Sequence, residues 1–336
     1  MTLPTLYHKL VAANPSDDLR EACTVETIAI PTPAAGEILV KTHYTGVNAA
    51  DYLMALGRYL SATERPFDLG AESVGEVVAI GEGVSQFAVG DHVLTLMDGG
   101  FAEYFITRAR FAIPIPQASP EVVSLAISGL TASIALEVTG NMTQGETVLV
   151  TAAAGGTGSM AVQLAKIAGN TVIGTCGNDD KVAFLQSLGC DRAINYRSED
   201  VKQVLKAEYP EGVDIVFESV GGEMFDTALK ALAVHGRLLV IGAISEYESG
   251  PQAITAPRIG YALMNKSASV RAFWLMNFFK DIPAHMDKLL ALVAGGQLQL
   301  NADDTRFAGA EGALNALEYM YAGKNIGKVV VDFTEA

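Results

Sequence analysis

Between Thr147 and Leu275, short apolar runs punctuated by Gly alternate with stretches whose apolar positions recur at helical spacing. The runs are Thr147–Ala152, Thr171–Thr175, Ala193–Tyr196, Val213–Ser219, Arg237–Ile241 and Ser269–Leu275; between them lie Ser159–Ala168, Lys181–Leu188, Asp200–Glu208, Glu223–Leu232 and Ile259–Asn265. Six strands with intervening helices predict an α/β fold with a doubly wound, Rossmann-type parallel sheet and right-handed crossovers.

The flanking parts read differently. Residues 1–125 are β-rich: Glu37–His43 alternates, Ser73–Ile80 is apolar and followed by Gly81 and Gly83, and Asp91–Leu96 comes next. Frequent Gly and Pro between short strands predict an antiparallel, barrel-like domain. Ser119–Thr139 turns helical, with Pro120 and Glu121 at its start and Ala126, Leu130, Ile134 and Val138 on one stripe, and serves as the linker. The tail carries helices at Pro283–Ala294 and Gly312–Ala322 and a strand at Lys328–Phe333 that rejoins the first domain. The expected division is therefore 1–127 with 277–336, a discontinuous β-rich domain, and 128–276, the nucleotide-binding domain. No repeat of fixed period and no low-complexity segment interrupts this order.

Composition narrows the function classes. The chain has 336 residues, 50% hydrophobic and 18% charged, enough to bury the cores of two domains. The apolar runs, such as Leu238–Ile244, are of strand length, and Met1–Leu10 contains Pro4, His8 and Lys9 in place of a signal-peptide pattern, so no membrane partner is expected. Cys23, Cys176 and Cys190 are too few and too scattered for a disulfide framework or a zinc site of cysteine pairs, and the five histidines show no ligand spacing, so no metal is expected. This cysteine usage points to a reducing, cytoplasmic compartment. A net charge of −15 without a Lys/Arg cluster argues against nucleic acid. An anionic cofactor is compatible with that charge, because a local site acts within a Debye length of about 8 Å.

The candidate chemistry sits at Thr147-Val-Leu-Val-Thr-Ala-Ala-Ala-Gly-Gly-Thr-Gly158, a strand, a turn of small residues and then a helix. Ala152-x-x-Gly155-x-x-Gly158 is a variant of the dinucleotide fingerprint, in which small residues permit the turn and bring backbone amides to a diphosphate. About 20 residues on, an acid would accept from a ribose 2′-hydroxyl. Here the second strand ends Gly174-Thr175-Cys176-Gly177, while Lys181 and Tyr196 lie nearby for a 2′-phosphate, so NADPH is expected over NADH. Asp179 and Asp180 read as N-terminal helix caps.

The run Val148–Gly158, together with Ala161–Lys166, Leu188–Tyr196, Thr45–Asp51, Gly129–Ala132, Val213–Gly222 and Met320–Val331, resembles the medium-chain dehydrogenase/reductase superfamily in its zinc-free quinone oxidoreductase branch. Tyr209–Gly212, Glu218–Gly222 and Ile241–Tyr247 are most similar to the 15-oxoprostaglandin 13-reductases. The resemblance implies a GroES-like fold for the β-rich domain. It also implies cofactor contacts from Asn48, Thr131, Ala153, Gly155, Gly156, Thr157, Gly158, Cys176, Gly177, Lys181, Tyr196, Ser219, Gly242, Ile244, Phe273, Trp274, Leu275 and Asn325.

Zinc-dependent members carry a cysteine just after the second barrel strand and a histidine in a Gly-His-Glu segment; here the segments read Gly46-Val-Asn48 and Gly70-Ala71-Glu72. Hydride transfer without a Lewis acid suits an activated C=C bond, whose carbonyl already spreads the developing charge, so hydrogen-bond donors serve in place of the metal. Asn48, Tyr59 and Tyr247 are the catalytic candidates by resemblance, with Tyr52 and Tyr261 behind them. Asn48 also reads as a turn asparagine, and each tyrosine also reads as a pocket wall. Ala272–Phe279, with the only Trp, reads either as the flank of a nicotinamide pocket or as domain-junction core. Glu72 reads as a remnant of the lost metal site with a structural role.

These expectations describe an NADPH-dependent quinone/enone oxidoreductase, with small-molecule enones or quinones as substrates in a cleft between the two domains. A homodimer paired through the sixth strands follows from the resemblance. The alternative is a structural protein that binds NADPH without turnover.

Overall fold

The computed structural model describes residues 3–58, 64–247 and 257–334. They form two compact units, 1–127 with 302–336, and 128–301.

In the first unit, the alternating segment forms the long strand Glu37–Gly46, which is the hub of a mixed sheet. It pairs antiparallel with Glu72–Ile80, with Tyr104–Arg108 and, at its far end, with Val330–Asp332, where Tyr44 lies opposite Asp332 and Gly46 opposite Val330. The returning tail is thereby sewn into the middle of the first unit, and Val47 N–H donates to Val329 O at 3.0 Å. Leu6–Ala12 and Cys23–Ala29 form a separate antiparallel hairpin. Leu10, Leu69 and Phe101 pack with Ala313, Leu317 and Phe333 in one core, so the helix Gly309–Tyr321 belongs to this unit.

The second unit holds, among its described residues, six parallel strands in the spatial order 192–195, 171–176, 147–150, 213–218, 232–240, 269–272. The order reverses beside the first strand of the series, the topological switch point at which doubly wound sheets bind ligands. Leu149, Ile173, Ile194, Val216 and Leu238 are buried along the strands, and Leu205 and Leu229 from the helices close over them. Strands covered on both faces read as unbroken apolar runs, which is why they are visible in the sequence.

Two expectations change. The segment 277–301 groups with the second unit, because the helix Ile282–Ala294 sends His285 Nδ1 to within 2.7 Å of Ser133 Oγ. The backbone of Gln299 is likewise bracketed by both ends of the Gln163 amide. Ser119–Thr139 is not one regular helix: a short 3₁₀ turn, Val122–Leu125, breaks at Ala126 and resumes as the helix Ile127–Ile134, and a π turn follows over Ala135–Thr139. The break frees Ile127 N–H, which donates to Glu72 Oε2 at 2.6 Å. Val122–Thr139 also has the length and hydropathy of a membrane span, a longer apolar stretch than the strand-sized runs expected, but 72% of it is buried inside the fold, as in a core helix.

Candidate active site

The glycine turn is strung between two strands. Thr151 N–H donates to Phe217 O on one side and Ala153 N–H donates to Thr175 O on the other, both at 3.0 Å. Ala152 takes up φ +48°, and the helix Gly156–Ile167 starts from Gly155, which brings no capping side chain. The N–H groups of Gly156, Thr157 and Gly158 therefore stay open at the positive end of the helix dipole. A Cβ on Gly158 would lie 2.4 Å from Ala152 O and 2.7 Å from Ala153 Cα, so only glycine allows this crossing. Such a cradle fits a diphosphate.

The next strand ends at Cys176, whose carbonyl accepts from Tyr196 N–H at 3.0 Å. Tyr196 is half exposed, and its hydroxyl lies over Gly177, where a Cβ would meet it at 2.7 Å. Lys181 stands in the first turn of the helix Asp179–Ser187. The structure thus gathers Cys176, Gly177, Lys181 and Tyr196 at one strand end. The cap of that helix is Asn178, whose Oδ1 accepts from Lys181 N–H at 2.8 Å, and not Asp179 or Asp180. Asp179 instead accepts from the Asn195 amide at 2.8 Å, because the chain reaches extended cap geometry one residue earlier.

Sequence reading missed Glu218, a fully buried carboxylate at the end of the fourth strand. It accepts from Val220 N–H and Gly221 N–H and from Thr151 Oγ1, while Thr151 Oγ1 accepts from Ser219 N–H at 2.8 Å. Burial pushes its pKa up, and the two backbone donors oppose that. Glu218 thereby ties the glycine turn to the loop bearing Ser219. That loop is clasped in turn to the one after the fifth strand, as Ile244 N–H donates to Ser219 O and Ser245 Oγ to Val220 O. Tyr247 folds back so that its hydroxyl accepts from Ala243 N–H at 3.0 Å and covers Gly242, where a Cβ would meet it at 2.9 Å. Beyond the sixth strand, Phe273 stacks on Phe278 at 4.8 Å, Leu275 is buried and Trp274 is 39% exposed. Thr131 is buried on the helix Ile127–Ile134. The second unit thus carries the sequence candidates from Ala153 to Leu275 at the carboxyl ends of its strands and in the loops that follow them.

In the first unit, Asn48 precedes the helix Ala49–Ala55 and is 9% exposed. Its Oδ1 accepts from Lys328 Nζ at 2.7 Å and its Nδ2 donates to Glu72 Oε1 at 2.9 Å, while Lys328 and Glu72 form a buried ion pair. Asp51, fully buried, accepts from Asn48 N–H at 2.8 Å and from Ala71 N–H at 3.0 Å. Burial pushes its carboxyl up to about 7, against the pull of the Asn48 N–H and Lys328. Asn325 Nδ2 donates to Gly327 O at 2.9 Å, directly before Lys328. Lys328 is not identifiable from the sequence as part of this cluster, since its partners are 280 and 256 positions away. Glu72 has a structural role here, buried between Lys328, the Asn48 amide and Ile127 N–H. Tyr52 stacks on Tyr321 at 3.7 Å, and Tyr261 is 72% exposed in the second unit. Tyr59 lies outside the described residues. Among the described residues no group of three or more His, Cys, Asp or Glu side chains could hold a metal ion.

Comparison with known proteins agrees with both units. A model of the alcohol dehydrogenase GroES-like domain matches residues 34–117, and one of zinc-binding dehydrogenases matches residues 156–293. Prostaglandin reductase-3 of Mus musculus is 48% identical over 98% of this chain and 90% of its own length. A probable quinone oxidoreductase of Leishmania amazonensis is 41% identical over 99% of each chain. Among solved structures, Escherichia coli quinone oxidoreductase complexed with NADPH superposes with a TM-score of 0.87 at 25% identity, covering 97% of this chain and 99% of that one. With both units matched and identity sustained along its length, the chain belongs to the medium-chain dehydrogenase/reductase superfamily, in the branch of the prostaglandin reductases and quinone oxidoreductases.

Proposed function

We propose that this protein is an NADPH-dependent reductase of the activated C=C bond of α,β-unsaturated ketones and aldehydes, and of quinones, working without a metal ion. The observation that carries this reading is the diphosphate cradle closed by Gly158, in a chain 48% identical to prostaglandin reductase-3 over 98% of its length.

When bound, NADPH supplies a hydride to the electrophilic β-carbon of the acceptor. The chain's own residues do the rest. The N–H groups of Gly156–Gly158 would hold the diphosphate, and Lys181 with Tyr196 would engage the 2′-phosphate through a charge-assisted contact. The Tyr247 hydroxyl is the described candidate donor for the oxygen on which negative charge develops, and Asn48 is a candidate by resemblance alone. A phenol or solvent then protonates the α-carbon. Asn48 and Ala71 stand in the segments that carry zinc ligands in other members, so donors and not a Lewis acid carry the charge.

Following the absorbance of reduced cofactor with a panel of enones and quinones tests this reading. Acceptor-dependent oxidation of NADPH is expected. Thermal stabilisation by NADPH with no oxidation by any acceptor would instead establish a silent binding protein.

The same reading includes a homodimer. Ser269–Ala272 is an edge of the sheet among the described residues, and exposed Tyr261 and Met264 lie on the helix just before it. A monomeric mass in solution would remove the dimer. The buried, unpaired Cys23, Cys176 and Cys190 are consistent with a cytoplasmic location, which fractionation of the source cells would check.

A further inference from the structure

Asn195 closes the strand Arg192–Asn195 of the second unit, opposite Cys176, and is 7% exposed. Its Oδ1 accepts from Arg197 N–H at 3.1 Å, and its carbonyl accepts from Ser198 N–H at 3.0 Å and Glu199 N–H at 2.9 Å. Its Nδ2 donates to Asp179 Oδ1 at 2.8 Å, across 16 positions of sequence. A backbone N–H at one end and a carboxylate at the other fix which way the amide faces. Asp179 is exposed, the first residue of the helix Asp179–Ser187, and a carboxylate there would swing freely without this bond. It also lies about 20 residues beyond Gly158, the spacing at which an acid that accepts from a ribose 2′-hydroxyl selects NADH in sheets of this type. Lys181, in the same first helical turn, and Tyr196, next to Asn195, are the groups that the proposed function gives to a 2′-phosphate. Tyr196 N–H donates to Cys176 O at 3.0 Å, so the two strand ends are laced together. A tethered acid and a pair of phosphate-binding groups therefore share one strand end.

We propose that Asn195 is a positioning residue that sets cofactor choice: it holds the Asp179 carboxylate against the end of its own strand and so keeps an acid away from the place that a 2′-phosphate needs. This rests on the NADPH-dependent reading above. A phosphate group carries about two negative charges, and a loose carboxylate within a Debye length of about 8 Å would repel it. The same loose carboxylate would accept from the free 2′-hydroxyl of NADH. Asp180 is exposed as well, but successive helix positions point about 100° apart, so Asp180 faces another way and serves as a control.

The test compares the Kd of NADPH and of NADH, read by calorimetry beside the melting temperature, in wild type, Asn195→Ala, Asn195→Ala/Asp179→Asn and Asn195→Ala/Asp180→Asn. Asn195→Ala is expected to raise the Kd of NADPH at least fivefold, while the Kd of NADH stays within twofold of wild type or falls. Adding Asp179→Asn is expected to return the Kd of NADPH to within twofold of wild type, and adding Asp180→Asn is expected to leave it raised. A smaller rise with NADPH, or equal losses with both cofactors, overturns the role of Asn195. So does a failure of Asp179→Asn to restore binding, or an equal rescue by Asp180→Asn, because a tether that only anchored the helix would not depend on the charge at 179. If Asn195→Ala does not fold, Asn195→Ser takes its place with the same outcomes for and against, since its hydroxyl can still accept from Arg197 N–H but stops short of Asp179. A wild type that binds neither cofactor overturns the NADPH reading itself, whereas a wild type that binds NADPH, with selectivity unmoved in Asn195→Ala, overturns the tether alone.

Discussion

Lys328 Nζ hydrogen-bonds Asn48 Oδ1 at 2.7 Å across 280 positions of sequence, and it does so because the strand Val330–Asp332 pairs with the end of Glu37–Gly46. The same pairing delivers the ammonium to Glu72, buried beside it. Lys328→Met strands the Glu72 carboxylate without its cation, and breaking a buried pair from one side costs about 3–5 kcal/mol. Denaturant unfolding of Lys328→Met should show a loss of that size, with Glu72→Gln/Lys328→Met recovering most of it. A single variant as stable as wild type would show that the pair is not structurally engaged.

Gly158→Ala should disturb the cofactor cradle. The new Cβ would press on backbone atoms of Ala152 and Ala153 that cannot rotate aside. Overpacking of this kind costs about 1–3 kcal/mol, and any relief moves the turn that presents the N–H groups. NADPH titration should show affinity at least tenfold weaker, whereas Gly155→Ala, whose Cβ would meet only Ala152 O at 3.4 Å, should lose less. Equal losses from the two variants would contradict this account of the crossing.

The proposed function has Lys181 and Tyr196 engage the 2′-phosphate, which NADH lacks. A charge-assisted contact is worth about 1.5–3 kcal/mol. Lys181→Ala should therefore raise KM for NADPH tenfold or more and leave kinetics with NADH within twofold. A similar loss with both cofactors would place Lys181 elsewhere in the mechanism.

The parallel sheet was legible in the sequence because its central strands, such as Thr147–Val150 and Val213–Glu218, are buried along nearly their whole length and bounded by Gly or polar turns. Positions decided by remote partners were not legible. The break at Ala126 depends on Glu72, 55 residues before Ile127. The shifted boundary at 301 depends on His285 meeting Ser133 and on Gln299 meeting Gln163. The cap at Asn178 displaced the expected acids by one or two residues, a difference set by backbone geometry. At the site, the glycine turn was readable as a local motif. Glu218 and Lys328 were not, because each acts through residues that only tertiary pairing brings to it.

Asp51 gives the molecule a pH dependence of definite sign. Unfolded, its carboxyl titrates near the ordinary aspartate value of 3.8; folded, burial raises it to about 7. Between these values the folded state keeps a proton that the unfolded chain has released, so stability falls as pH rises. The contribution is full below about pH 4 and lost above about pH 7. Asp98, raised by burial to about 6, acts in the same direction. Unfolding free energy measured from pH 4.5 to 7.5 should decline less steeply in Asp51→Asn than in wild type. Parallel slopes would mean that Asp51 titrates normally in the folded protein.

The fate of the hydride tests the central claim most directly. With NADPH deuterated at the transferable C4 position and an α,β-unsaturated ketone, mass spectrometry and NMR of the product should find the saturated ketone carrying one deuterium on its β-carbon. Deuterium on the carbonyl carbon of an allylic alcohol, or no transfer from NADPH to any acceptor, would contradict it.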